Sequence, residues 1–158
     1  MKHLQMTVIA VLVYHDIFDY PLTEQEIYKF LVQIPNPKSQ ILNKFKCSKS
    51  KIQNSLKILQ DKKKIFKKGN YYYLVGREGI INLRKKREKY SKEKIKIAKD
   101  TVRILESIPW VKMIGITGAL AMHNSDENDD IDFLIIAAKN RLWLTRLLMV
   151  IILETLGN

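Results

Sequence analysis

Apolar residues recur at helical intervals over residues 4–17, where Leu4, Val8, Val11 and Leu12 share one face. Pro21 breaks the run, because proline cannot continue a helix, and Thr23 opens a second one. Thr23-Glu24-Gln25-Glu26 reads as a capping box: the hydroxyl accepts from the third N–H and the carboxylate reaches back. Ile27, Phe30 and Leu31 give this helix its apolar side, and Pro35-Asn36-Pro37 ends it in a polar linker. A third helix begins near Ser48 or Ser50. Ile52, Leu56 and Leu59 lie on one face, and Lys49, Lys51, Asn54 and Lys57 on the other. Two short strands, 64–67 and 71–75, flank Lys68-Gly69-Asn70, a sequence suited to a tight hairpin.

Residues 78–107 read as one long helix or two consecutive ones, with Ile95, Ala98, Val102 and Leu105 as the apolar stripe and Pro109 as the stop. The pattern then changes. Val111–Thr117 is a short apolar strand, Gly118–Met122 a turn into a helix start, His123–Asp129 a polar loop, Asp130–Ala137 a strand and Asn140–Leu156 a helix. The order predicts an α+β protein in three parts: a helical and hairpin domain over 1–76, a helical connector over 77–108, and an α/β sheet segment over 109–158. Trp110 and Trp143 are expected in the core of the last part. Leu147–Leu153 is apolar on every side, so the final helix should expose an apolar patch. That patch would mark a partner, self-association or a missing segment.

Composition narrows the class. A chain of 158 residues, 46% hydrophobic, suffices for one ordinary domain or two small ones. The single cysteine, Cys47, excludes an internal disulfide. The apolar run 142–156 contains Arg146 and Glu154 and is too short to span a bilayer. The N-terminus lacks a small-residue cleavage site. A cytoplasmic protein with no membrane contact is expected. Net charge is +12, but residues 44–99 hold 20 of the 28 Lys and Arg against four acids. Within them, 84–99 carries nine basic residues against two Glu and is expected to present a wet basic face. Such clustering points to nucleic acid; the plainer reading is a solvated lysine-rich surface. His3, His15 and His123 have no metal-ligand spacing, and only His123 lies near the acidic stretch described next. Tyr71–Tyr73 suit packing better than base stacking.

The chemistry-bearing stretch runs from Ile116 to Ile136. Asp130-Ile131-Asp132 opens an apolar strand, where side chains at i and i+2 share one side with Cα atoms roughly 6.5–7 Å apart. Two such carboxylates can converge on hard cations, as two-metal phosphoryl chemistry requires. Gly118, after a buried strand, would let backbone N–H groups approach a phosphate.

These residues resemble the DNA polymerase beta-like nucleotidyltransferase superfamily, whose pattern is Gly-Ser, a spacer, then Asp-h-Asp or Asp-h-Glu with h apolar. Gly118, Asp130 and Asp132 match; the resemblance covers roughly residues 108–148. It implies that Gly118 and Ala119 contact a nucleoside triphosphate and that Asp130 and Asp132 bind Mg²⁺ or Mn²⁺ and act in catalysis. Three helices and a hairpin in about 75 residues resemble a winged helix-turn-helix domain. That likeness implies nucleic-acid binding by Lys49, Lys51, Asn54 and Lys57. Two departures stand out. The family serine is Ala119 here, and after Asp132 the only acid is Glu154, in the final helix, where a third carboxylate strand is expected. The expectation is a truncated form, a site completed by a partner, or lost catalysis. Two functions stay open: a Mg-dependent nucleotidyltransferase with a basic nucleic-acid-binding half, or a winged-helix DNA-binding regulator with a non-catalytic nucleotidyltransferase-like domain.

Overall fold

The computed structural model describes residues 2–33 and 48–156 and is mixed α and β. The linker at Pro35–Pro37 and Cys47 lie outside the described residues. The chain divides into two compact units, Met1–Arg84 and Lys85–Asn158.

The first unit contains α1 (Lys2–Asp16), β1 (Leu22–Thr23), α2 (Glu24–Gln33), α3 (Lys49–Asp61), β2 (Ile65–Lys68) and β3 (Tyr71–Leu74). The strands form an antiparallel sheet in the order β1-β3-β2. The hairpin turns on Gly69-Asn70 alone, Lys68 pairing with Tyr71. Gly69 sits at φ +61, the left-handed value that a two-residue type II′ turn asks of its first loop position. The capping box forms as its spacing predicts. The Glu26 amide donates to Thr23 Oγ1 at 3.3 Å, and the Thr23 amide donates to Glu26 Oε2 at 2.8 Å. Strand β1 was not expected. Two residues are too few to show a period, and its pairing with Tyr71 and Tyr72 is a long-range effect.

One core joins these elements: Val8, Val11 and Leu12 of α1, Ile27 and Leu31 of α2, and Ile52, Leu56 and Leu59 of α3 close over Leu22, Ile65 and Tyr72. His15 is buried among them, its Nδ1 donating to the Val11 carbonyl at 2.8 Å and its ring 4.3 Å from that of Phe30.

Helix α4 (Ile80–Leu105) is a single 26-residue helix. Ile80 and Ile81 pack against Tyr73. The expected basic wet face of 84–99 is present in Lys85, Lys86, Lys89, Lys92, Lys96 and Lys99, but Arg84 is not part of it. It is 5% exposed. Its guanidinium pairs with Glu26 at 2.6 and 3.0 Å, donates to the Pro21 carbonyl and lies over the rings of Tyr20 and Tyr71. Burial alone would raise the Glu26 pKa. The hydrogen bonds from Arg84 and from the Thr23 amide outweigh it and hold the carboxyl below its ordinary value.

The second unit continues α4 and adds β4 (Val111–Ile116), α5 (Gly118–Ala121), β5 (Phe133–Ala137) and α6 (Leu142–Leu156). β4 and β5 pair antiparallel from Ile116↔Phe133 to Val111↔Ala137, with a bulge between Val111 and Met113. One sheet face, through Ile114 and Ile135, packs with Trp110 on Leu105, Ile108 and Met149. The other face carries Met113, Leu134 and Ile136, all exposed. On α6, Thr145 and Met149 are buried, while Leu142, Leu147, Val150, Ile151 and Leu153 are exposed, so the expected apolar patch is present. Trp143 is corrected: it is 76% exposed and not in the core. It lies two residues from inward-facing Thr145, about half a helical turn away. Among the described residues, no helix is long and apolar enough to cross a membrane.

Candidate functional site

Two strands and a loop build the site. Strand β5 begins at Phe133 and not at Asp130 as expected. The ladder nevertheless runs one step further, because the Thr117 amide donates to the Asp132 carbonyl at 3.0 Å. Asp132 is therefore fixed by its backbone opposite the turn that leaves β4, while Asp130 and Ile131 lie outside the paired strand.

Gly118 begins that turn at φ +64. A Cβ placed on it would lie 2.5 Å from Asp132 Oδ2. The absence of a side chain at position 118 is what allows the carboxylate to rest against the backbone of the turn. Ala119 follows in the same turn and is exposed. Gly118 and Asp132, both expected at the site, thus come together. Asp130 is exposed near them in sequence, and its carboxylate, like that of Asp132, has no hydrogen-bond or ion-pair partner among the described residues.

The neighbouring acids are otherwise engaged. Lys94 of α4 donates to Ser125 Oγ at 3.1 Å and to the carbonyls of Asp126 and Asp129. Ser91, fully buried, accepts from the Ser125 amide at 3.1 Å. Tyr90 donates to Glu127 at 2.7 Å, and Arg87 lies 3.7 Å from the Asp126 carboxylate. The Asp126 carboxyl is held below its ordinary value chiefly by the Glu127 amide; desolvation opposes the shift, and the charges of Arg87 and Lys86 add to it. The Glu127 carboxylate beside Tyr90 raises the phenol's pKa. The Asp129 carboxylate accepts from the Asp126 amide at 2.7 Å. Three acids of the loop are therefore spent on holding it, and Asp130 and Asp132 are left available. Sequence reasoning missed Arg87, Ser91 and Lys94 in this role. Their spacing of four and three, continued by Ala98, is the signal that they share one helix face.

His123 is exposed at φ 54 and touches none of these groups. Among the described residues, no three His, Cys, Asp or Glu side chains are placed so that together they could hold a metal ion.

The second set of expected site residues lies on α3. Lys49, Lys51, Asn54 and Lys57 are all exposed, opposite buried Ile52, Leu56 and Leu59. Lys49 also borders a groove of about 460 Å³ with Thr23, Gln53, Lys67 and Asn70. Lys51, Asn54 and Lys57 do not line it. Tyr72 and Tyr73 are buried, so the tyrosine run packs inward. No family model, curated protein or solved structure matches the chain.

Proposed function

We propose that the second unit is a nucleotidyltransferase-type domain that transfers a nucleoside monophosphate from a nucleoside triphosphate to an acceptor hydroxyl, and that the first unit is a winged helix that contacts nucleic acid through Lys49, Lys51, Asn54 and Lys57. The observation that carries this reading is the fit of the unpartnered Asp132 carboxylate against Gly118, with an equally unpartnered Asp130 two residues earlier in the chain. A glycine held at positive φ, with an acid resting on it, is what a turn needs if phosphate and metal ligands are to meet there.

The donor set suits Mg²⁺ or Mn²⁺: two hard carboxylate oxygens with no competing cation from the protein. Mg²⁺ commonly binds through one or two carboxylates, its remaining positions filled by water and substrate phosphates. Asp130 and Asp132 would hold the ion, which when bound neutralises charge developing on the transferred phosphoryl group. The backbone around Gly118 and Ala119 would face the triphosphate. Lys94, Ser91 and Arg87 keep the loop, and so the start of Asp130-Ile131-Asp132, in one place.

A specific observation favours a second reading. Only two carboxylates are free at the site, with no third acid joining them among the described residues. The domain would then sense a nucleotide without turning it over, and the winged helix would be the output. Calorimetric titration of the whole chain with a nucleoside triphosphate, with and without Mn²⁺, tests the first reading. Metal-dependent binding that disappears in Asp130→Asn and in Asp132→Asn is expected. Absence of such binding, or binding unchanged in both variants, would sink it; binding without turnover would favour the sensor.

A further inference from the structure

From Lys85 onward, helix α4 has two opposed faces. Arg87, Ser91, Lys94, Ala98 and Leu105 turn inward, to the acidic loop or the core. Half a turn away run Lys85, Lys89, Lys92, Lys96, Lys99 and Arg103, at intervals of four and three, all exposed. At about 1.5 Å per residue the row is about 27 Å long. None of its five lysines has an ion-pair partner among the described residues; Arg103 pairs with Asp100 at 3.1 Å. Glu88, Glu93 and Asp100 lie beside the line and not in it.

A row of this kind does not help its own helix. Like charges three and four residues apart repel, and glutamates interleaved among them would be favourable. The arrangement is complementary to a line of negative charge. We propose that the row is a track for the phosphates of a single nucleic-acid strand, a surface separate from α3 and independent of the chemistry at Asp130 and Asp132. A straight file of 27 Å spans about three-quarters of a duplex turn, over which each backbone of a duplex winds away from the line. A single strand can follow it. An interfacial membrane helix needs an apolar side free to insert, and on α4 that side is occupied by Ala98 and Leu105 in the folded unit. No aromatic ring stands in the row to stack on bases, so binding should not depend on sequence.

The test uses the whole chain and fluorescent twenty-nucleotide oligo-dT, oligo-dA and a twenty-base-pair duplex. One variant replaces Lys85, Lys89, Lys92, Lys96 and Lys99 with Gln. A second replaces five scattered exposed lysines, Lys29, Lys62, Lys63, Lys112 and Lys139, with Gln, the same change in charge. The row variant should bind oligo-dT at least about thirtyfold more weakly near 100 mM salt. Its salt slope should fall by about 3.5, or about 0.7 for each lost phosphate contact. The scattered variant should lose under about threefold, and oligo-dA should behave as oligo-dT. The row variant should melt no lower than the parent, because glutamine is as good a helix former as lysine. Equal losses in the two variants would overturn the proposal as bulk charge. A loss confined to the duplex would overturn the single-strand geometry. Row-dependent binding to phosphatidylserine vesicles as tight as to oligo-dT would assign the surface to lipid instead.

Discussion

The two units handle charge and apolar surface in opposite ways. In the first, apolar residues from three helices and three strands meet in one core, and the most buried charge, Arg84, is neutralised within it by Glu26. In the second, a two-stranded sheet covers one face only, and most of α6 is left exposed. Its buried polar contacts fasten a loop and do not fill a core. The first unit encloses the larger core, and the unpartnered Asp130 and Asp132 and the exposed apolar faces of β5 and α6 belong to the second. Binding surfaces are commonly carried by segments that a fold has not used up for its own closure.

The most damaging way to break that contrast is Arg84→Met. It leaves the partly buried Glu26 carboxylate without its cation, and removing one partner of a buried pair costs up to about 3–5 kcal/mol. Urea unfolding followed by tyrosine fluorescence should show that loss; a cost below about 1 kcal/mol would mean that Glu26 is solvated through another route. The pair also sets a pH dependence. The Glu26 carboxyl is held below its ordinary value of 4.5, so its stabilising contribution is complete above that value and is lost as pH falls through the lower folded value. Arg84→Met should flatten the acid limb.

Lys94→Met should have a smaller and local effect. Two carbonyls and a hydroxyl lose their donor, a cost of about 1–3 kcal/mol felt by the loop. Amide exchange should quicken over residues 125–130, while amides of α1 and α2 stay protected. Uniform loosening of both units would mean that the two do not open independently. Gly118→Ala is the mildest. Holding a Cβ at positive φ costs about 1–2 kcal/mol, and Asp132, a short side chain, can swing away from the new methyl. A small drop in melting temperature with weakened Mn²⁺ affinity is expected; unaltered affinity would show that the position of the Asp132 carboxylate does not matter.

Local rules made the first unit readable. A hydroxyl and a carboxylate three residues apart predicted the cap on α2, and Ile52, Leu56 and Leu59 predicted the inner face of α3. Gly69 predicted the turn. What stayed hidden was long-range. β1 exists because β3 runs beside it, and Arg84 is buried because Glu26, Tyr20 and Tyr71 surround it. In the second unit Gly118, Asp130 and Asp132 were legible as a motif. The partition of the acids was not. Asp126, Glu127 and Asp129 look equivalent to Asp130 in the sequence, and only the folded loop, with its own backbone amides and the side chains of α4, separates those that are tied down from those that are free. Trp143 was misplaced because a helix apolar on every side gives no periodic signal of which side faces inward.

Strand β5 has a further consequence, for aggregation. Phe133–Ala137 is five apolar residues with no proline or charge, paired with β4 along one edge only among the described residues. Such a segment is a template for adding strands from other chains. Asp130 and Asp132 at one end and Lys139 at the other are the charges that restrain it, in the manner of gatekeepers. The carboxylates proposed to hold metal would therefore limit strand addition as well. Asparagine at either position removes a guard from an open strand edge, and fibre formation at high concentration could be mistaken for a folding defect.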